Sequence, residues 1–178
     1  MREDDTPFEI DDISSRRKIY RIIRSKPGIH FRSLERETGF ASGTLQYHLR
    51  EMVKNEILTE KKDDHYTRYF IRDQPISIKD KLILSHLRKE LPRGIILFLL
   101  ENPGSENRDF TRHFTVSSAT ISYHLKRLSK DEVIVSSGDT RMQRYSIKEP
   151  ERVFELIIAF RSSFVDRVVD TLIESWVQ

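Results

Sequence analysis

The stretch TLQYHLREM at residues 44–52 returns as TISYHLKRL at residues 120–128, an offset of 76 residues. Both copies place leucine, isoleucine or methionine at four- and three-residue spacing, which is typical of a helix with one buried face. The match continues at the same offset, because RKIYRIIRSKPG at 17–28 lies over RGIILFLLENPG at 93–104. A solenoid would need at least three stacked units. The chain is therefore predicted to hold two copies of one domain.

The local patterns of the first copy predict three helices and a hairpin. A first helix is expected to start at a cap on Ser14 or Ser15 and to end at a Pro-Gly pair. Residues 30–39 predict a short second helix closed by a glycine, and a third helix begins at Ser42 after a tight turn. Residues 57–71 contain two strand-like runs separated by KKDDH, which predicts a β-hairpin with a charged tip.

The second copy repeats this order of elements. Ser118 is expected to cap its third helix, and SGDTRMQ at 137–143 is expected to form its hairpin tip. Helix, helix, turn, helix and hairpin is the order of a winged helix-turn-helix domain. The predicted fold class is mainly α with small β-hairpin wings, arranged as two tandem winged helix-turn-helix domains.

A family resemblance rests on the repeated phrase. The pattern S-x-T-[LI]-x-Y-H-L-[RK]-x-[ML] at 42–52 and 118–128 is followed in each copy by a hairpin that ends in Arg-Tyr. This combination resembles the recognition helix and wing of ArsR-like winged-helix transcription regulators, and the tandem arrangement is similar to two-winged-helix regulators common in archaea. The resemblance covers residues 14–72 and 92–148. It implies a transcription regulator that binds double-stranded DNA.

Composition excludes several other classes of protein. Charged residues make up 33% of the chain and hydrophobic residues 37%, and the apolar run IILFLL at 95–100 is too short to span a bilayer. The opening MREDDTPFEIDD is acidic and lacks the apolar core of a signal peptide. The absence of cysteine removes disulfides and thiolate sites. These features predict a cytoplasmic protein that does not enter a membrane.

Charge is distributed unevenly along the chain. The whole chain carries a formal net charge of +3, but residues 13–72 carry +7 and residues 92–148 carry +3. The two ends are acidic, with −5 in residues 1–12 and −3 in residues 149–178. Such a distribution is expected of a core that binds a polyanion. An ordinary solvated surface is the alternative interpretation.

The third helix of each copy, residues 42–54 and 118–130, offers candidate DNA-reading side chains. A recognition helix presents its exposed face to the major groove, where Gln can pair with adenine and Arg with guanine. The second copy has shorter polar groups and is expected to read bases less well. The candidates are Ser42, Thr44, Gln46, Tyr47 and Arg50 in the first copy and Ser118, Thr120, Ser122, Tyr123, Lys126 and Arg127 in the second.

The hairpins offer candidate contacts to the DNA backbone. Arg68 and Tyr69 point to opposite faces of a strand, so Arg68 should face outward if Tyr69 packs on the third helix. An outward arginine could meet phosphates or the minor groove, and Arg144 repeats the position in the second copy. Lys61, Lys62 and Arg141 extend the same predicted surface.

No pattern indicates an enzyme or a cofactor. His48 and His124 border the buried faces of their helices, so they are expected to pack or to form hydrogen bonds, without metal-ligand spacing around them. No Gly-rich phosphate loop, nucleophile elbow or carboxylate-histidine constellation is present. The chain is expected to use no metal or cofactor, and the effector that it would sense is unknown.

The predicted organisation has five segments. Residues 1–12 are expected to be an acidic, disordered tail, followed by a first domain at 13–74, a linker helix at 75–91 and a second domain at 92–149. Residues 150–178 contain neither Gly nor a second Pro and predict one continuous helix, about 40 Å long over 151–177 at 1.5 Å per residue.

The apolar face of this last helix predicts a partner. A symmetric homodimer is the commonest arrangement that buries such a face. The alternative is that the helix folds back on its own second domain. The stripe of the linker helix (Ile78, Leu82, Leu87 and Leu91) is expected to help cover the IILFLL helix. The residues assigned to dimerisation are Ile157, Phe160, Phe164, Val168 and Leu172.

Two functions remain open from the sequence. The favoured one is a transcription regulator that reads specific sequences in double-stranded DNA through the two recognition helices. The other is a protein-docking module of the transcription or replication machinery, in which winged helices bind proteins without reading DNA.

Overall fold

The computed structural model describes residues 7–63, 66–139, 142–161 and 164. The chain divides into two compact units, residues 1–76 and residues 77–178. The described elements of the first unit are α1 (Pro7–Ser25), β1 (Ile29–His30), α2 (Phe31–Thr38), α3 (Ser42–Lys54), β2 (Leu58–Asp63) and β3 (Tyr66–Ile71). Helices with a small antiparallel sheet confirm the predicted fold class for this unit.

The first helix of this unit ends where the sequence predicts it. Ile19 and Ile23 are fully buried one turn apart, which holds α1 on the core. The helix ends at Ser25, and Gly28 follows with a positive φ of 79°. The Gly28 N–H donates to the Tyr69 carbonyl oxygen at 2.9 Å, so the chain passes directly from the helix to the sheet.

The predicted start of this helix is wrong. The sequence placed a disordered tail at 1–12 and a cap at Ser14 or Ser15, whereas α1 begins at Pro7 and both serines lie inside it. Proline suits the first turn of a helix because its φ is already fixed. Asp12 also forms an ion pair with Arg16 one turn later, which supports the additional turns.

Helices α2 and α3 and the turn between them form as predicted. Gly39 ends α2 in the left-handed conformation at φ 69°, with its N–H bonded to the Glu35 carbonyl oxygen at 2.9 Å. Helix α3 starts at Ser42 and buries Leu45, Leu49 and Met52. These side chains join the core of the unit, which also contains Ile19, Ile23, Ile29, Leu34, Leu58, Tyr69 and Ile71.

The sheet of the first unit has the order β1-β3-β2 with antiparallel pairing. His30 pairs with Arg68 on one side of β3, and Lys61 pairs with Arg68 on the other. Because β3 is the central strand, both of its edges are covered. Lys61 and Lys62 therefore lie in strand β2, which continues to Asp63, and the predicted five-residue tip at 61–65 is too long.

The second unit has the same order of elements after one additional helix. Its described elements are α4 (Ile78–Leu87), α5 (Glu90–Glu101), β4 (Ser105–Glu106), α6 (Asn107–His113), α7 (Ser118–Lys130), β5 (Ile134–Ser137), β6 (Arg144–Ile147) and α8 (Pro150–Ala159). The sheet order β4-β6-β5 matches that of the first unit. The cap of α7 is Ser117, one residue before the predicted Ser118, and it accepts a hydrogen bond from the Thr120 N–H at 3.2 Å.

Helix α4 belongs to the second unit, which corrects its prediction as a separate linker. It packs against α5 and α8. At its start, Ser77 and Asp80 form a capping box. The buried Asp80 carboxylate also accepts hydrogen bonds from the Arg152 guanidinium of α8 at 2.9 and 2.7 Å. The predicted stripe is incomplete, because Leu87 is fully buried but Ile78 is 78% exposed.

The prediction of one continuous helix over 150–178 holds for its first ten residues and is wrong at residue 160. Helix α8 ends at Ala159, and Phe160 leaves helical geometry as its C-cap. Phe164 is 4% exposed, and the Arg88 guanidinium lies over its ring at 5.2 Å. Packing of this aromatic ring on its own unit explains why the helix stops without Gly or Pro.

The described residues that were assigned to dimerisation pack at least partly within their own chain. Ile157 is fully buried, Phe164 is buried and Phe160 is half-buried within one chain, which agrees with the fold-back alternative. These side chains cannot also form the apolar face of a dimer without leaving their own unit. Val168 and Leu172 lie outside the described residues, and a homodimer stays a prediction.

Candidate nucleic-acid interface

Helix α3 exposes one face that carries all five predicted readers of the first unit. Leu45, His48 and Leu49 point into the core, so the intervening positions face solvent. The residues Ser42, Thr44, Gln46, Tyr47 and Arg50 are all exposed, Tyr47 by 54%. The geometry expected of this face from the sequence is therefore confirmed, while its contact with DNA stays a prediction.

Three of these side chains are not committed to other groups of the protein. Within the described part of the chain, Thr44, Gln46 and Arg50 form no side-chain hydrogen bond or ion pair. Ser42 differs, because its hydroxyl donates to the Glu35 carboxylate of α2. An amide and a guanidinium without intramolecular partners keep their full hydrogen-bonding capacity for a ligand.

His48 anchors the back of the same helix, as the sequence predicts. It is 4% exposed, and its Nδ1 lies 3.1 Å from an Asp12 carboxylate oxygen of α1. The rings of Phe40 and Tyr47 lie 6.3 and 5.4 Å from the His48 ring. This packing fixes α3 against α1, so the exposed face of α3 has a defined orientation.

The predicted exposure of Arg68 is wrong. Arg68 is 1% exposed; its Nε donates to Asp63 at 2.8 Å, and a terminal nitrogen donates to the Gly28 carbonyl oxygen at 2.8 Å. Tyr69 on the other face of β3 is also buried, and burial followed by the charge of Glu60 raises the pKa of its hydroxyl. Both faces of β3 are covered at this point, so strand alternation does not bring Arg68 to solvent.

The lysines of the first wing remain accessible to different extents. Lys62 is exposed on β2, and Lys61 beside it is half-buried. Tyr66 on the facing strand is 47% exposed and stacks on His30 with ring centroids 5.2 Å apart. Lys62 is therefore the described wing cation best placed to meet a phosphate in this unit.

Helix α7 of the second unit exposes the matching positions but links most of them to neighbours. Ser118, Ser122, Tyr123 and Lys126 are exposed, and Thr120 and Arg127 are half-buried. The Asn107 side chain of α6 donates to the Ser122 hydroxyl at 2.9 Å and accepts from the Ser118 hydroxyl at 3.1 Å.

Three of the four remaining candidates on α7 also have intramolecular partners, and Lys126 is the exception among the described residues. Thr120 shares a hydrogen bond with the Ser117 hydroxyl at 2.8 Å, and Arg127 donates to the Tyr123 hydroxyl at 3.2 Å. His124 is half-buried, in agreement with its predicted packing role. Compared with α3, the face of α7 therefore has fewer uncommitted polar groups.

The second wing keeps its arginine at the surface. Arg144 is exposed, and its Nε lies 3.6 Å from the Glu106 carboxylate, which also pairs with Arg108 at 3.1 Å. Burial raises the pKa of the neighbouring Tyr145 hydroxyl. A polar groove of about 870 Å³ lies between the start of α6, helix α7 and this hairpin, with Lys126 and Arg108 on its wall. Arg141 lies outside the described residues.

Two further findings bear on the class of site. In the described part of the chain, histidine, aspartate and glutamate side chains form no group of three that could hold a metal ion. Among the described helices, none combines the length and apolar character that crossing a bilayer requires.

Sequence reasoning missed two residues that shape these surfaces. The sequence interpretation places Asp63 in a charged tip, because its hydrogen bond from Arg68 runs diagonally across the hairpin and its directly paired residue is Tyr66. Asn107 has no local signal in the sequence, because its bonds to Ser118 and Ser122 depend on how α6 packs beside α7.

The first unit is similar to known helix-turn-helix domains. Residues 13–77, from within α1 to beyond β3, match the HTH_HVO_0163_N family, described as an N-terminal HTH domain. An uncharacterized HTH-type transcriptional regulator of Methanocaldococcus jannaschii is 29% identical over 135 residues, which are 76% of this chain and 34% of that protein. The chain thus spans about a third of this relative's length.

A solved structure is similar at a lower level. The DIP2311 protein from Corynebacterium diphtheriae aligns with 80% of this chain and 27% of its own length, with 14% identity and a TM-score of 0.30.

Proposed function

We propose that this chain is a transcription regulator that binds double-stranded DNA and reads sequence in the major groove with α3. The observation that carries this proposal is the exposed face of α3 inside a helix-turn-helix domain, with Gln46 and Arg50 uncommitted to other described groups. Arg pairs in bidentate fashion with guanine and Gln with adenine, which gives base discrimination. The regulator similar to this chain supports the same assignment.

The second unit is proposed to be a second winged helix that arose by duplication and resembles the ArsR-like type. Its support is the shared order of elements and of strands, together with the phrase repeated at 44–52 and 120–128. Because Ser118 and Ser122 are bonded to Asn107, this unit is proposed to add affinity more than sequence preference. Lys126 and Arg144 would supply that affinity through phosphate contacts.

The wing of the first unit is assigned fewer DNA contacts than the sequence analysis predicts. Lys62 and, to a lesser extent, Lys61 remain candidates for phosphate contacts, whereas the buried Arg68 is not proposed as a DNA contact. The wing would therefore contribute charge without base reading. Its loss should weaken binding to all sequences alike.

Selection of bound fragments from random duplex DNA, followed by titration of the best fragment over a range of salt, tests the proposal. We expect one sequence to be enriched, with an affinity that falls as salt rises because bound phosphates release counterions. Enrichment of no sequence together with salt-independent binding would overturn it. Under the protein-docking alternative, replacing Arg50, Lys126 and Arg127 with Ala would leave partner binding intact.

Lys62→Ala provides the matched phosphate-contact variant. It should weaken the best and the random fragments by the same factor and lower the salt slope by about one, because one phosphate contact is lost. A change in the preferred sequence would contradict its assignment to the backbone.

A further inference from the structure

The outer face of α1 carries a basic stripe that the DNA-reading face does not include. Ile13, Arg17, Arg21 and Arg24 follow each other at four- and three-residue spacing, so they lie along one side of the helix. All four are exposed, Ile13 by 52%, and a groove of about 840 Å³ runs along the stripe. The opposite side, with Ile19 and Ile23, already supplies the packing that the unit needs.

Two of the four matching positions in the second unit are apolar and buried. Counted at the offset of the repeat, Arg21 corresponds to Leu97 and Arg24 to Leu100, and both leucines are buried. Helix α5, which carries them, packs against α4 and β6. This face of α5 therefore packs against neighbouring elements. The corresponding face of α1 is basic, so it suits an acidic partner.

Helix α8 exposes a stripe with the complementary chemistry. Glu151, Glu155 and Ile158 are exposed at four- and three-residue spacing, Ile158 by 47%. Arg152 lies between them but does not neutralise the stripe, because its guanidinium is shared between Glu155 at 2.7 Å and the buried Asp80 carboxylate. Because the buried Asp80 takes part of the charge of this guanidinium, the two exposed glutamates leave the surface negative.

We propose that these two stripes bind each other between copies of the chain, with α1 of one copy antiparallel to α8 of another. In this arrangement Arg21 lies opposite Glu151, Arg17 opposite Glu155 and Ile13 opposite Ile158. The spacings along the two helices agree to within one residue over this length. All six side chains are exposed within a single chain, so both stripes are available to a second copy.

The expected contact is weak and sensitive to salt. Exposed ion pairs each contribute little and are screened by added salt. The contact is heterologous, because each of the two copies contributes a different surface. It gives a closed dimer only if the α1 stripe of the second copy also binds the α8 stripe of the first. It is independent of the proposed function, since neither stripe includes the α3 face.

Charge reversal in separate copies tests the contact. Arg17→Glu with Arg21→Glu makes both stripes acidic, and Glu151→Arg with Glu155→Arg makes both stripes basic. By sedimentation at low salt and without DNA, wild type is expected to associate, each variant alone to lose at least about tenfold in affinity, and an equal mixture of the two variants to associate again. Restoration on mixing cannot come from misfolded chains.

Control variants carry the same changes in net charge elsewhere on the surface. Arg32→Glu with Lys54→Glu, and Glu90→Arg with Glu101→Arg, alter exposed residues outside both stripes. Each control should associate like wild type. A wild-type chain that stays monomeric under these conditions would overturn the proposal, as would reversed variants that associate as wild type does or that fail to associate when mixed.

Discussion

Arg68 and Arg144 occupy the same position of the repeated sequence, but one is buried and the other is exposed. Arg68 is 1% exposed and bonded to Asp63, whereas Arg144 is exposed and lies 3.6 Å from Glu106. Strands β2 and β3 are six residues long and bring Asp63 back beside Arg68, while β5 and β6 are only four residues long. The length of the hairpin, more than the Arg-Tyr phrase, therefore decides whether the wing arginine is available to a ligand.

The recognition helices show a second difference of the same kind. Helices α3 and α7 bury apolar side chains at the same three positions and expose most of the same positions. Their surroundings differ, because Asn107 of α6 binds two serines of α7, whereas Gln46 and Arg50 of α3 keep their polar groups uncommitted within the described chain. The same fold thus exposes uncommitted polar side chains in the first unit, whereas more of the corresponding side chains in the second unit are hydrogen-bonded within the chain.

Replacing the two wing arginines is expected to give the largest contrast in stability. Arg68→Met removes the guanidinium that pairs with the buried Asp63 carboxylate and should destabilise the first unit by about 3–5 kcal/mol. Arg144→Met removes only an exposed pair and should cost less than about 1 kcal/mol. Hydrogen exchange of the amides in β3 and β6 measures the two units separately.

A double variant provides the control for this comparison. Asp63→Asn combined with Arg68→Met removes both charges and should recover much of the lost stability, since no buried ion remains unpaired. Equal losses for Arg68→Met and Arg144→Met would show that the buried pair does not distinguish the wings.

The Asp80–Arg152 pair predicts a dependence on pH that belongs to the second unit alone. Hydrogen bonds from Arg152 are the main cause that lowers the pKa of the buried Asp80 carboxyl. A lowered pKa in the folded state contributes stability above the ordinary Asp value of about 3.9, and that stability is lost as pH falls through the folded value.

Asp80→Asn measures this contribution. We expect a loss of about 1.5–3 kcal/mol near neutral pH, because hydrogen bonds to a charged group are removed. The difference from wild type should shrink as pH falls below about 4. Urea unfolding with amide exchange in α4 as the readout, repeated between these conditions, checks the sign. A difference that grows in acid would contradict the assigned role of Arg152.

Asn107→Ala tests the difference between the two recognition helices and is expected to cause the smallest loss of stability. It frees the Ser118 and Ser122 hydroxyls but leaves the core of α7 intact, so the second unit should lose only about 0.5–1 kcal/mol. Glu35→Ala, which releases Ser42 in the first unit, is the matched change. Thermal unfolding of each variant gives the loss, and a cost above that of Asp80→Asn would contradict the peripheral role assigned to Asn107.

Much of this architecture follows from local sequence patterns. The apolar spacing within 42–54 and the glycine that ends α2 predict the helix-turn-helix correctly, because helix periodicity and left-handed caps are local properties. The exposed face of α3 follows from the same periodicity. These features need no knowledge of which elements meet in space.

Other features depend on tertiary contacts and were not predictable in this way. The end of α8 at Ala159 has no Gly or Pro to signal it and depends on Phe164 packing on its own unit. The burial of Arg68 depends on the register that brings Asp63 beside it. The early start of α1 depends on Asp12, which reaches both Arg16 and His48.

The most direct test of the account compares base preference after matched changes in the two recognition helices. Gln46→Ala with Arg50→Ala in α3, and Ser122→Ala with Lys126→Ala in α7, are each assayed against the selected DNA site and all its single-base variants. The α3 pair should cost about 1–3 kcal/mol per lost base contact on the best site and flatten the preference at the contacted positions. The α7 pair should weaken every sequence by a similar factor. Loss of base preference from the α7 pair, with preference retained by the α3 pair, would contradict the assignment of sequence reading to the first unit.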